Sequence, residues 1–275
     1  MRYLQIFLIS FLSLTGFVSM AQEMVTTRNV DYVSEENYEN DKDKLDIYAP
    51  KDAKKLPVLL FFHGGGLESG DKKDMEFAGE RFVSEGIVVV FANYRLSPGV
   101  MHPVHMEDAT RAFSWVKENI ADYGGNPKNI FISGHSAGAY LAVLMGMDER
   151  YVAQHDYTLK DIAGVIGVSP FLYVEETAKV RNKTIWGTDP KVWETASVSP
   201  YISNGKPAML LLYADGDDDW RKRHNETLAK ALRKEGNSNI QVYEMEDRDH
   251  NSLWFKTNQP GDPTASLMIK MIKEN

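Results

Sequence analysis

Ile132-Ser133-Gly134-His135-Ser136-Ala137-Gly138 is the stretch on which the reading of this chain turns. It holds Gly-x-Ser-x-Gly directly after a predicted strand, Lys128-Asn129-Ile130-Phe131-Ile132. An alanine-rich amphipathic run follows from Ala137 to Met147. Strand, sharp turn and helix, in that order, are the setting of a nucleophile elbow, where a strained turn lifts a serine hydroxyl off the edge of a sheet. Gly134 and Gly138 are expected to be small because strand and helix approach closely there. The alternative for Ser136 is an ordinary N-cap of the following helix.

A second motif upstream decides between the two. Leu59-Leu60-Phe61-Phe62-His63-Gly64-Gly65-Gly66 is an apolar run that stops in three glycines. Consecutive glycines are costly in backbone entropy and add no packing. They fit a loop whose backbone must come close to a ligand and present N–H groups to it. Acyl transfer from a serine creates an oxyanion, and preorganised backbone N–H groups are its natural donors. The donors expected here are Ala137, immediately after the nucleophile, together with Gly65 and Gly66.

The chain has 275 residues, no cysteine and a net charge of −8. Its start reads as a secretory signal peptide: Arg2, an apolar segment from Leu4 to Val18, then Ser19-Met20-Ala21, with cleavage after Ala21. Residues 1–21 are therefore expected to be a leader, and 22–275 one domain, secreted or periplasmic. The apolar segment is short for a membrane span and is interrupted by Ser10, Ser13 and Thr15, so no stable membrane partner is expected. The acidic balance and the lack of an arginine stripe argue against a nucleic-acid partner.

Strands are predicted over 27–33, 44–48, 58–62, 87–92, 128–132, 162–168, 210–213 and 240–243. Helices are predicted over 75–84, 104–123, 137–147 and 223–234, and 264–272 closes the domain. The alternation implies right-handed crossovers and a mostly parallel, eight-stranded sheet in a three-layer α/β/α sandwich. Residues 171–207 break the rhythm. They form an excursion or small cap with Tyr173, Trp186, Trp193 and Tyr201, which either line an acyl pocket or pack the excursion onto the domain.

A nucleophile elbow of this kind is followed along the chain by an acid and then a histidine. His250, in the polar loop Asp247-Arg248-Asp249-His250-Asn251, follows the last strand and is the expected base. His155 comes too soon after the elbow helix, and His224 falls in the last crossover helix. The acid lies in Asp215-Gly216-Asp217-Asp218-Asp219. Asp217 and Asp219 are both far enough along to turn back, and spacing does not rank them. Asp215, Asp217, Asp219 and Glu226 also match a calcium loop in part, but Trp220 replaces its glycine.

Further segments join these motifs: Gly70-Asp71-Lys72 after the glycines, Asn93-Tyr94-Arg95-Leu96-Ser97-Pro98, Glu107-Asp108, and Asp249-His250. Together they resemble the α/β-hydrolase superfamily. The closer resemblance is to the family of bacterial carboxylesterases, feruloyl and acetyl xylan esterases and kynurenine formamidases. An ungapped match through Leu210–Tyr213 and through Leu228, Ala229 and Leu232 places that family's acid on Asp217. Matching on Gly216 instead selects Asp219. Leu67 stands where many relatives have tryptophan, and His135 where hormone-sensitive-lipase relatives have aspartate. The resemblance implies a serine carboxylic-ester hydrolase acting on small acyl esters, acetyl or feruloyl groups on plant polysaccharide among them. The expected catalytic set is Ser136, Asp217 and His250, with Gly65, Gly66 and Ala137 as oxyanion donors and Asp219 as the alternative acid. The expected partner is a small-molecule or polysaccharide-linked ester, and no cofactor or metal is expected. An amidase, formamidase or peptidase would use the same residues, and a non-catalytic binding protein would keep the fold.

Overall fold

The computed structural model describes residues 23–33, 38–179 and 183–275. The expected leader, 1–21, lies outside the described residues. Eight strands form one sheet: β1 Met24–Asp31, β2 Lys44–Pro50, β3 Leu56–Phe62, β4 Val88–Ala92, β5 Gly125–His135, β6 Gly164–Val168, β7 Met209–Ala214 and β8 Ile240–Met245. Their order across the sheet is β1-β2-β4-β3-β5-β6-β7-β8. β2 pairs antiparallel with β1 and with β4; every other pairing is parallel.

The helices are α1 Gly79–Val83, α2 Val104–Asn119, α3 Ala137–Met147, α4 Glu149–Ala153, α5 Val174–Thr177, α6 Lys183–Trp186, α7 Pro190–Ala196, α8 Asp219–Lys234, α9 Ser252–Phe255 and α10 Pro263–Glu274. The central strands are buried on both faces, which explains their continuous apolar runs. Leu60, Phe62 and Val90 face one core with Phe113 of α2, Leu141 of α3 and Leu232 of α8. Leu59, Phe61 and Val89, one residue out of phase, face the other with Phe82 of α1, Trp254 of α9 and Met268 of α10.

Two helices depart from expectation. The helix expected over 75–84 is split into a 3-10 turn, Lys72–Ala78, and α1. An Asp71–Asp74 capping box tightens its first turn, and Lys72 is drawn inward. The helix expected from 223 begins at Asp219, because the inward face of its first turns is polar: Arg221, His224 and Asn225 are buried. Apolar periodicity does not register such a face.

The excursion carries α5, α6 and α7 together with a 3-10 turn at Ser199–Tyr201. Trp186 is 1% exposed, with its ring 5.5 Å from Tyr140 of α3 and 6.0 Å from Phe171. Tyr201 hydrogen-bonds Arg150. These aromatics pack the excursion onto the domain.

A buried ion pair ties the loop after β3 to the edge of the sheet. Lys72 Nζ donates to Asp46 Oδ1 at 2.7 Å, and both side chains are 1% exposed. It also donates to Asn29 Oδ1 at 2.7 Å, while the Lys72 N–H donates to Asn93 Oδ1 at 2.7 Å. Removing one partner would leave the other charge buried alone. Lys72→Met should therefore lower unfolding free energy by about 3–5 kcal/mol in urea titrations. A loss under about 1 kcal/mol, the range of exposed pairs, would contradict this.

Five of the seven histidines are buried: His63, His102, His105, His135 and His224. Burial lowers His63, His102 and His224 to about 4, and His105 and His135 to about 3. The unfolded chain, with histidines near 6.5, takes up protons that the folded one refuses. Stability is thus full above the unfolded value and falls as pH drops through it. Calorimetric Tm should decline steadily from about pH 6.5 to about pH 4.5. A level Tm across that window would show that these histidines are not held neutral.

Candidate active site

Register builds the site. Phe62 pairs with Gly134, His135 with Val168, Val168 with Leu212, and Ala214 with Met245. The carboxyl ends of β3, β5, β6, β7 and β8 therefore lie side by side. Each delivers one part: Gly64–Gly66, Ser136, Ser169, Asp217 and His250. Ligand sites of open α/β sheets gather at these ends.

Ser136 links β5 to α3 with φ 55° and ψ −110°. A non-glycine residue at such angles is strained, and strain of this kind marks functional turns. The turn is possible because Gly138 lacks a Cβ, which would lie 2.0 Å from the Phe62 carbonyl oxygen. Gly65, at φ 108°, folds its loop back so that its carbonyl accepts the Ser69 N–H at 3.0 Å. Ala137 opens α3, where backbone N–H groups have no partner within the helix.

His250 Nε2 lies 2.9 Å from Ser136 Oγ, and His250 Nδ1 lies 2.8 Å from Asp217 Oδ1. Ser169 Oγ donates to Asp217 Oδ2 at 2.7 Å and stands 2.9 Å from His250 Nδ1. That hydroxyl proton goes to the carboxylate, so its oxygen faces Nδ1 as a second acceptor. With two acceptors beside it, Nδ1 carries the proton, and Nε2 presents its lone pair to Ser136. The Ala214 N–H also donates to Asp217 Oδ2, at 2.9 Å. Burial pushes the Asp217 carboxyl up, but the bonds from His250, Ser169 and Ala214 outweigh it and hold the group below its usual range. Asp217 is thus an anion at neutral pH and can orient the imidazole.

Ser136, Asp217, His250, Gly65, Gly66 and Ala137 are all brought to this corner. Asp219 is not: it opens α8 on the exposed surface. The loop turns back early because the Asp215 carboxylate accepts the N–H groups of Asp247 and Arg248, at 3.0 and 2.9 Å. Glu226 accepts the Tyr213 hydroxyl at 2.7 Å, so the four acids of the calcium-loop spacing diverge. Among the described residues no cluster of three or more His, Cys, Asp or Glu could hold a metal ion.

Three contributors escaped the sequence reading. Ser169 follows β6 and has φ 54°, with no motif to flag it. Arg221 donates to the Ser169 carbonyl at 2.7 Å and places Nε 3.6 Å from Asp217 Oδ1. Phe255 of α9 is 47% exposed at the mouth of the cleft. His63 is buried, stacks on Tyr94 at 4.3 Å, and its Nδ1 lies 2.7 Å from Gly64 O. The cleft holding Ser136 measures about 580 Å3, and Gly64–Gly66, His250, Asn251 and Phe255 are among the residues that line it. No described residue of the excursion lines it.

The two candidate acids differ sharply in what they touch. Asp217→Asn should slow labelling of Ser136 by a fluorophosphonate by a factor on the order of 10³–10⁴, because the imidazole is left in the wrong tautomer. Asp219→Asn should change it by less than about threefold, as expected of an exposed substitution. Labelling rates of the folded variants, followed by intact mass, decide; the reverse order would make Asp219 the acid.

The BD-FAE family model matches residues 45–232, which include Ser136 and Asp217. Esterase LipQ of Mycobacterium tuberculosis is 29% identical over 225 residues, covering 75% of this chain and 53% of that protein. Gut esterase 1 of Caenorhabditis elegans is 33% identical over 163 residues, covering 55% of this chain and 26% of that protein. The chain thus spans about half, or less, of the length of these relatives. Among solved structures, esterase B from Lactobacillus rhamnosis superposes with TM-score 0.77 at 16% identity, covering 92% of this chain and 86% of that one. A truncated carbohydrate esterase from gut microbiota superposes with TM-score 0.75 at 18% identity, covering 92% and 97%. At such identities the structures speak for the fold alone. The chain has the α/β-hydrolase fold and, by the family match across most of its length, belongs to the BD-FAE family.

Proposed function

We propose that this chain is a serine carboxylic-ester hydrolase acting on small acyl esters. The observation that carries the reading is the hydrogen-bonded series Ser136 Oγ, His250 Nε2, His250 Nδ1 and Asp217 Oδ1, with steps of 2.9 Å and 2.8 Å on either side of the imidazole. The esterase names of its relatives support it.

His250 Nε2 takes the Ser136 proton as Oγ attacks the ester carbonyl. The N–H groups of Gly65, Gly66 and Ala137 receive the oxyanion. The imidazolium is stabilised by Asp217 and then gives its proton to the departing alcohol oxygen. Water, deprotonated by the same Nε2, attacks the acyl-enzyme; the carboxylic acid leaves and Ser136 recovers its proton. Asp74 lines the cleft, while no lysine or arginine among the described residues does, and its histidines His63 and His135 are held neutral by burial. This lining suits an uncharged ester. Acetyl or feruloyl esters of a polysaccharide fit, as the resemblance to acetyl xylan and feruloyl esterases suggests.

Turnover of p-nitrophenyl acetate, methyl ferulate and acetylated xylan by the purified protein tests the reading. Ser136→Ala should keep the fold and lose on the order of 10⁴-fold or more in kcat on whichever ester responds. Retention of kcat within about twofold, or wild-type inactivity on all three esters, would overturn the proposal.

A further inference from the structure

His135 precedes the nucleophile, ends β5 and is 4% exposed. Its Nε2 lies 2.7 Å from the carbonyl oxygen of His250. A carbonyl only accepts, so Nε2 carries the hydrogen and donates it. Burial, reinforced by the neighbouring His250, lowers His135 to about 3, so the ring keeps a single proton across the working range of an esterase. With that proton on Nε2, Nδ1 is bare. The ring also touches the other half of the site. A Cβ on Gly64 would lie 3.0 Å from His135 Nδ1, so the glycine loop packs directly against it. The rings of His135 and His250 are 4.8 Å apart.

The loop that carries His250 needs such a hold. Its preceding residues are anchored by the Asp215 carboxylate, by the Gly216 N–H donating to Arg248 O at 2.9 Å, and by Arg248 donating to Asp262 at 2.8 Å. Those bonds hold residues 247 and 248, and the Asn251 N–H donates to Asp249 Oδ1 at 3.0 Å. The His135 bond acts on the His250 peptide itself, next to the Cα from which the imidazole hangs.

We propose that His135 is a positioning residue for the reaction: its Nε2–H holds the His250 peptide against the nucleophile's own strand, so that one dipeptide, His135-Ser136, supplies the nucleophile and places the base. The proposal rests on the reading of Ser136 and His250 as nucleophile and base. The bond does not touch substrate. Its loss should displace Nε2 from its line with Oγ and slow both acylation and protonation of the leaving group. A misplacement of about 1 Å in a reacting group is enough to cost about 100-fold.

The test compares two amides that differ in reach. In His135→Gln the side-chain Nε2 sits as many bonds from Cβ as the histidine Nε2 does and can donate to the His250 carbonyl. In His135→Asn the amide is one bond short. His135→Asn should lose about 10- to 100-fold in kcat on the ester that the wild type turns over, with KM within about twofold. The fluorophosphonate labelling rate of Ser136 should fall in parallel. His135→Gln should recover most of both. Equal losses in the two variants at matching thermal stability would reduce His135 to a packing residue. Unchanged kcat in His135→Asn would remove it from the reaction altogether. If Ser136→Ala also stays active, the reading of the site itself has failed. If Ser136→Ala is dead while His135→Asn is normal, only the positioning inference falls.

Discussion

The contact between α3 and the end of β3 is the constraint from which the rest of the site follows. Cβ atoms at Gly138 and Gly134 would lie 2.0 Å from Phe62 O and 2.3 Å from the Gly138 carbonyl carbon. Any larger residue would drive the helix off the sheet. Because the helix stays, the loop after Phe62 packs against the turn: a Cβ on Gly64 would lie 3.4 Å from Ser136 Cβ. The strained angles of Ser136 follow from that closeness. Strain of this kind costs about 1–3 kcal/mol and persists only where the surroundings over-determine it. α3 meets that condition, since each of its residues from Ala137 to Met147 is buried.

Two polar anchors, both away from the reacting atoms, hold the loops around this contact. Behind the glycine loop the Lys72–Asp46 pair joins the 3-10 turn to β2, with Asn29 reaching in from β1. Behind the acid, one face of α8 grips the segment that leaves β6. Arg221 donates to Ser169 O at 2.7 Å, Asn225 donates to Pro170 O at 3.2 Å, and the Leu172 N–H donates to His224 Nδ1 at 3.2 Å. The spacing of Arg221, His224 and Asn225 sets them on one stripe of the helix. They satisfy backbone groups that the end of a strand would otherwise leave buried and unpaired. Ser169 is thereby held where its hydroxyl meets both Asp217 and His250.

The same burial sorts the histidines. Five rings are enclosed and kept neutral, and several of them serve as hydrogen-bonding struts: His63 beside the glycine loop, His135 under the His250 peptide, His224 behind the segment after β6. His250, whose side chain is 31% exposed, is the one that meets both Ser136 and Asp217. The enclosed rings could take up a proton only at the cost of burying a charge.

The sequence by itself determined the layered fold, the turn at Ser136, the glycine loop after β3 and the histidine of the loop after β8, because each rests on a local pattern. The apolar runs of β3 to β7 read as buried strands, and Gly134-His135-Ser136-Ala137-Gly138 carries in its own residue types the small glycines that the close strand–helix approach needs. It did not determine which aspartate meets His250. Asp217 and Asp219 have equal reach along the chain. What separates them is where the loop after β7 turns, and that is set by residues far ahead: the Asp215 carboxylate on the amides of Asp247 and Arg248, and Gly216 on the Arg248 carbonyl. Nor did it reveal Ser169, the polar face of α8 or the grip of His135, since serines, arginines and histidines carry no periodicity that says what they touch. Those contacts join β5, β6, α8 and the loop after β8, and only the packing of the sheet brings them within hydrogen-bonding distance.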